Sequence, residues 1–301
     1  MNTTPANTPF RFGVVAGQAP TGAAWSDLAR RVESAGYDTF VMPDNVSFGH
    51  AVFPALAAAA AVTTRLHVGT YVLANDFRHP VQVAKESATL SVLSGGRFEL
   101  GLGAGRPDAA RENAMLGLGF ERPGARVDRL VESIGLIKRL LAGETVTVDG
   151  PHYRATEATV LPYGIPPQQV PVLVAGGGPR MLRIAGEHAD TAALGIPFVA
   201  EEPIVRAAVD HVRSADRPTG GSAELNLNLM AVGDVVPRYL AGRIDPAALA
   251  ASGAIGAVHG SPEEIADQLR ERRDRLGISY VLVGDELMDA FAPVVRLLSG
   301  S

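Results

Sequence analysis

The segment VPVLVAGGGPRMLRIAGEHAD, residues 170–190, sets a run of Val and Leu against three glycines, a proline and an apolar pattern at helical spacing. A further apolar run, TAALGIP (191–197), follows at once. Strand, tight turn, helix and strand in such close order are the unit of an α/β fold. The glycine triplet poses the functional question. It is either a strand-to-helix turn or a place where bare backbone must approach a ligand.

The same alternation extends in both directions. Toward the N-terminus lie FRFGVVA (10–16), TFVMPD (39–44), LHVGTYVLA (66–74) and RFELGLGAG (97–105); toward the C-terminus lie ELNLNLMAVG (224–233) and YVLVGDE (280–286). Between them the spacing predicts helices. Trp25, Leu28, Ala29 and Val32 form one stripe, and an Ala-rich helix covers about 53–62. Others run from near Pro80 to Gly95-Gly96, over roughly 123–142, and over 261–277, where Ser261 and Glu264 make a capping box. Asp149-Gly150 within TVTVDGPHYRATEATVLP marks a β-hairpin before the fifth strand. Near-continuous apolar strands suit a parallel sheet covered on both faces, and eight of them favour a single (β/α)8 TIM barrel over an open doubly wound sheet. The domain is expected over 10–301, after a flexible tail at 1–9. In either architecture ligands gather at the carboxyl ends of the strands.

Composition narrows the classes of function. The chain has 301 residues, 47% hydrophobic and 20% charged, with a net charge of −5 and no Cys. No basic surface invites nucleic acid, and no thiol is available as nucleophile or metal ligand. The seven His are scattered without an HExxH, so no metal site is expected. No apolar run is long enough to cross a bilayer, and MNTTPANTP lacks the features of a signal peptide. A soluble, cytoplasmic protein is the expectation.

At the strand ends, Pro43-Asp44-Asn45 reads equally as an Asx turn or as a polar pair aimed into the barrel mouth. GLGAGRP has alternating glycines at 101, 103 and 105, a GxGxG spacing at the fourth strand, so a dinucleotide fingerprint is a poor match. Alternation puts the missing side chains on one face, to admit a flat ligand or to relieve crowding inside the barrel. Gly176, Gly177 and Gly178 favour a ligand over a simple turn. Pro179 suits a first helical turn, leaving unpaired amides beside residues without side chains, and Arg180 adds charge: an anion site suited to phosphate. His50 and His79 follow the second and third strands and are candidates to reach the mouth.

These stretches resemble the bacterial luciferase-like monooxygenase superfamily, and within it the actinobacterial oxidoreductases that use the deazaflavin coenzyme F420. The matching segments are LARRVESAGYDTFVMPDN, TTRLHVGTYVLANDFRHPVQVAKESATLSVLSGGRFELGLGAG, VTVDGPHYR, PPQQVPVLVAGGGPRMLRIAGEHADTAALG and GSPEEIADQLRERRDRLGISYVLV, in order from about Phe10 to Leu298. The resemblance implies a barrel holding a reduced flavin or deazaflavin at its mouth. It implies cofactor contacts from Asp44, Tyr71, Val72, Gly103, Ala104, Gly105, Ala175, Gly176, Gly177, Gly178 and Arg180. It also implies a non-prolyl cis peptide at Tyr71–Val72, and chemistry at Asp44, Asn45, Arg106 and Tyr71.

Two positions depart from the family pattern. Asn45 stands where many F420-dependent relatives have His, and Arg106 where the dehydrogenases have a catalytic Glu. Asn cannot exchange a proton near neutral pH, and Arg keeps its charge. The expectation is therefore a reductase that uses F420H2 to deliver hydride to an electron-poor C=C or C=N bond of a small-molecule or modified-peptide substrate. Proton delivery would fall to Asp44, Tyr71, His50, His79 or solvent. An FMNH2-dependent two-component monooxygenase is the alternative, and a non-catalytic flavin-binding homologue the third reading. A homodimer and a separate cofactor-reducing enzyme complete the expectation.

Overall fold

A computed structural model describes residues 8–161, 163–218 and 220–300. Most of the expected N-terminal tail, residues 1–7, lies outside the described residues, as does Pro162 at the end of the hairpin segment.

The strands are β1 (Arg11–Val15), β2 (Thr39–Met42), β3 (His67–Thr70), β4 (Phe98–Gly103), β5 (Val172–Gly176), β6 (Thr191–Leu194), β7 (Glu224–Leu229) and β8 (Ile278–Gly284), with Leu73–Ala74 continuing β3 along β4. Each pairs in parallel with the next, and β8 returns to β1 with Tyr280 opposite Arg11 and Gly284 opposite Val15, closing a barrel of 8 strands. The helices α1 (Gly22–Ser34), α2 (Val52–Ala61), α3 (Pro80–Ser94), α4 (Pro123–Leu141), α5 (Pro179–His188), α6 (Glu202–Arg213), α7 (Pro262–Leu276) and α8 (Met288–Leu298) fall between and after the strands.

Strand alternation separates two apolar regions. Phe12, Val14, Phe40, Phe98, Leu100 and Leu102 face outward into the layer beneath the helices. Val41, Leu173, Ala193, Tyr280 and Leu282 fill the barrel interior. In the outer layer Trp25 packs edge-on against Phe40 at 5.0 Å and donates its indole N–H to Ala55 O at 2.8 Å. The small residues of α2 let it approach: Ala55, Ala59 and Ala60 are buried in this same core.

Local chemistry sets the helix ends. Thr21 caps α1, His79 caps α3 immediately before Pro80, and Gly95 ends α3 in the left-handed conformation at φ 68°. Ser261 and Glu264 form the expected capping box of α7. The hairpin, Val146–Asp149 with Arg154–Ala158, is tied to α4 by Glu132, which accepts from His152 N at 3.1 Å and Tyr153 N at 3.0 Å.

Two features differ from the sequence expectation. ELNLNLMAVG is not one strand: Met230 N and Ala231 N both donate to Gly256 O, at 2.7 and 3.1 Å, and Ala231–Val232 leaves β7 to pair with Ala257–Val258. Short helices at Ala110–Met115 and Pro246–Ala251 interrupt the connections after β4 and β7. At 6 residues each, neither is long enough to show a helical period.

The N-terminal end of the barrel is plugged by charge. Arg11 donates to Glu99 at 2.5 Å and to Glu224 at 2.8 Å, and lies 4.5 Å over the Tyr280 ring, while Thr191 donates to Glu224 at 3.0 Å. Burial raises the Glu99 carboxyl, but hydrogen bonding from His67 and the charge of Arg11 outweigh it and hold the group below its ordinary value. At Glu224 burial prevails and the carboxyl is raised.

Candidate active site

At the opposite end, the carboxyl ends of β2 to β6 surround a cavity of about 640 Å³, within the roughly 300–1,000 Å³ range of small-molecule and cofactor sites. Pro43 and Asp44 come from the end of β2, and Tyr71, Val72, Leu73, Ala74 and Phe77 from β3 and its continuation. The exit of β4 gives Gly103, Ala104, Gly105, Arg106, Pro107, Ala109 and Glu112; Ala175, Gly176, Gly177, Gly178 and Met181 follow β5, and Gly195 follows β6.

Tyr71–Val72 is a cis peptide, at the bond singled out from the sequence. The Val72 side chain lies against the alternating glycines next door. A Cβ on Gly101 or on Gly103 would lie 2.9 Å from a methyl of Val72, and one on Gly101 would also overlap Thr70 O. Steric relief thus accounts for the missing side chains at 101 and 103, the space being filled by Val72. Thr70 Oγ1 secures the junction, donating to Gly101 O and accepting from Gly101 N, both at 2.7 Å. The Tyr71 ring lines the cavity while its hydroxyl donates to Asn226 Oδ1 at 2.9 Å, and burial pushes the phenol well above its ordinary value. Asn226 in turn donates to Tyr280 O at 3.2 Å. The phenol is committed to the barrel interior.

The triplet after β5 divides into three roles. A Cβ on Gly177 would overlap the carbonyl of Gly195, and one on Gly176 would lie 2.5 Å from Met181 Cβ, so packing requires both glycines. Gly178, the N-cap of α5 at φ −82°, has nothing within 4 Å of a hypothetical Cβ. The first intrahelical bond is Leu182 N to Gly178 O at 3.0 Å, so the amides of Arg180 and Met181 have no partner within the helix. The helix dipole adds partial positive charge there. Arg180 itself turns away, to Asp128 and Gly124 at the start of α4.

The charged groups at the cavity edge are all engaged with each other. Asp44, buried, accepts two bonds from Arg78, at 2.6 and 3.2 Å, and one from Ala74 N at 3.2 Å. Asn45 and Arg106 are in direct contact, the guanidinium Nη1 donating to Asn45 Oδ1 at 2.6 Å. Arg106 also donates through Nη2 to Glu112 at 3.0 Å and through Nε to Asp108 at 3.2 Å. Glu112, buried on the short helix, accepts from Ser47 Oγ at 2.8 Å, Val46 N at 3.1 Å and Ser47 N at 3.3 Å. Burial raises its carboxyl, but these bonds and Arg106 outweigh it and keep the group below its ordinary value. Arg126, buried on α4, donates to the carbonyls of Ala104, Gly105 and Arg106 at 3.1–3.3 Å, fixing the loop that carries Arg106.

The two His candidates serve structure. His50 Nε2 contacts the backbone of Ala19 at 3.1 Å, and its ring packs edge-on to Trp25. His79 caps α3 through Nδ1 and stacks edge-on to Tyr153. Glu112, Arg78 and Arg126 are the site residues that sequence reasoning missed. Each is defined by partners distant in the chain, and no local motif marks any of them.

A closed (β/α)8 barrel whose strand ends enclose a largely apolar cavity beside an open helix N-terminus belongs to the class that binds a cofactor or substrate at its C-terminal mouth. The family model for luciferase-like monooxygenases matches residues 6–238, and the chain belongs to that family. An F420-dependent glucose-6-phosphate dehydrogenase of Beutenbergia cavernae is 42% identical over 166 residues, 52% of this chain and 48% of that protein. Its counterpart in Nakamurella multipartita is 35% identical over 221 residues, 69% of this chain and 64% of that protein. The matches thus span about half to two thirds of these relatives' length. The F420-dependent tetrahydromethanopterin reductase of Methanopyrus kandleri shares the fold, with a TM-score of 0.72 at 19% identity over 96% of this chain and 98% of that one. Among the described residues no helix is long and apolar enough to cross a membrane.

Proposed function

We propose that this chain is an F420-dependent oxidoreductase working as a reductase on an electron-poor C=C or C=N bond of a small molecule or modified peptide. The observation that carries the reading is the contact between Asn45 and Arg106. The two departures from the family's acid–base positions are hydrogen-bonded to each other and, through Arg106, to Glu112. They form a clamp between loops in which the buried carboxylate, Glu112, is already held by Arg106 and by Ser47 and Val46, an arrangement that disfavours its taking up the proton that alcohol oxidation releases.

The residues present fit the cofactor. Gly178 leaves open the space a side chain would fill, the Arg180 and Met181 amides suit an anionic stem, and Val72, Leu73, Ala104 and Ala175 offer an apolar wall to a flat ring. The names of the relatives support the deazaflavin over FMN. When bound, the reduced deazaflavin supplies the hydride. The protein's share is orientation: Arg78 fixes Asp44 against the backbone of Ala74, and the Arg106 clamp holds the loops after β2 and β4 together. The Tyr71 hydroxyl is given to Asn226 and Asp44 is held by Arg78, so the proton that completes reduction reaches the product from solvent at the cavity mouth.

A homodimer is part of the proposal, supported by an outward face of α2 and α3 bearing Pro54, Ala58, Ala61 and the exposed Leu93. So is a separate enzyme that regenerates reduced cofactor. Stopped-flow absorbance with F420H2 and with FMNH2 tests the central part. Reoxidation of F420H2 on adding an electron-poor alkene or imine is expected; oxygen-dependent turnover of FMNH2 without F420 binding would overturn it.

A further inference from the structure

We infer that the cavity selects an uncharged, largely apolar substrate and rejects phosphorylated or carboxylated ones, with the Asn45–Arg106–Glu112 clamp as the determinant. The inference rests on the cofactor reading above and adds the substrate class to it.

Apart from Tyr71, the ionisable residues lining the cavity are Asp44, Arg106 and Glu112. Asp44 is neutralised by Arg78. Arg106 is the cation placed to greet an anion, and it is already engaged. Its Nε, Nη1 and Nη2 each donate within the chain, to Asp108, Asn45 and Glu112. A carboxylate or phosphate bound in the usual paired fashion needs two parallel N–H groups along one edge of the guanidinium. Three of the five N–H groups of Arg106 are already given within the chain, so a paired anion would compete for the guanidinium with Glu112, which is buried and also organises Val46 and Ser47. Leaving a buried carboxylate without its cation is strongly unfavourable.

Local charge points the same way. The charges lining the cavity are paired within the chain, Asp44 with Arg78, and Arg106 with Asp108 and Glu112. A charged substrate, anion or cation, finds no unpaired counter-ion among these groups. The remaining wall is apolar, with Val72, Leu73, Phe77, Pro107, Ala109 and Met181. A neutral conjugated system can bury against it without disturbing a bond. The sugar phosphate named for the relatives would have to compete with these pairs instead.

The test is equilibrium binding by calorimetry, on the full chain alone and after loading with F420, using cyclohex-2-enone and its ring-substituted carboxylate and ammonium analogues. The neutral enone is expected to bind at least about tenfold more tightly than either charged analogue. Glu112→Gln, which removes one negative charge and loosens Arg106, should narrow the gap to the carboxylate to below about threefold. Asn45→Ala, on a loop outside the hydrophobic core, should narrow it partway by freeing Nη1 alone. Equal or tighter binding of the carboxylate or the ammonium analogue, absence of binding by the neutral enone, or no response of the gap to either variant would overturn the inference. A parallel fluorescence titration with F420 separates failure of the cofactor reading from failure of this one.

Discussion

The two ends of the barrel use the same ingredients for opposite purposes. At the N-terminal end Arg11, from β1, reaches Glu99 on β4 and Glu224 on β7, so the pairs cross the inside of the barrel and fill it. At the C-terminal end Arg78 pairs with Asp44 across neighbouring loops, and Arg106 with Glu112 within the connection after β4, around the opening. Charges spanning the lumen close it; charges paired along the rim leave a cavity beside apolar strand ends. One end is built for stability and the other is shaped to admit a ligand.

Breaking the first end should have the largest effect on folding. Glu99→Ala removes one carboxylate from a buried pair, a change that typically costs about 3–5 kcal/mol. The lower part of that range is expected, because the Arg11 side chain is 31% exposed and keeps Glu224. Denaturant unfolding should show the loss, while F420 binding to the folded fraction stays unchanged.

The second end is sharpened by two adjacent glycines. Gly177→Ala drives a methyl into Gly195 O and should destabilise by about 1–3 kcal/mol. Gly178→Ala meets no atom and has an allowed φ of −82°, so it should fold normally. A bulkier Gly178→Val should weaken F420 binding by about tenfold or more, since the side chain enters the space beside the free amides. Equal stability loss at 177 and 178 would show that the triplet is only a turn.

Acid titration separates the two carboxylates at the plugged end. Glu99 is lowered in the folded protein, so its contribution is present above the ordinary carboxylate range and lost as pH falls through its folded value. Glu224 is raised, so it favours folding below that range, and this contribution is lost as pH rises through its folded value. Glu99→Gln should therefore destabilise near neutral pH and approach neutrality in acid. Glu224→Gln should cost less than Glu99→Gln at neutral pH, with the difference shrinking as pH falls. Thermal melts across that range would check the sign.

The barrel was readable because its strands are short apolar runs and its helices carry conventional punctuation, such as Pro80, Gly95 and the Ser261–Glu264 box. The cis peptide position and the hairpin followed from the family resemblance and from Asp149-Gly150. The site was less legible. Gly101 and Gly103 face Val72, a contact made by a neighbouring strand. Asn45 and Arg106 were visible as separate oddities, yet 61 positions of sequence hid that they bond to each other. Glu112 lies on a helix of 6 residues, too short for a period to appear, and its meaning comes from Val46 and Ser47 on a different loop.

Fluorescence titration of the purified protein with F420, with FMN run alongside, bears most directly on the rim as a cofactor site. Saturable F420 binding that survives Glu99→Ala in the folded fraction, weakens in Gly178→Val and exceeds FMN binding is the predicted result. Preference for FMN, or F420 binding indifferent to a side chain at 178, would contradict it.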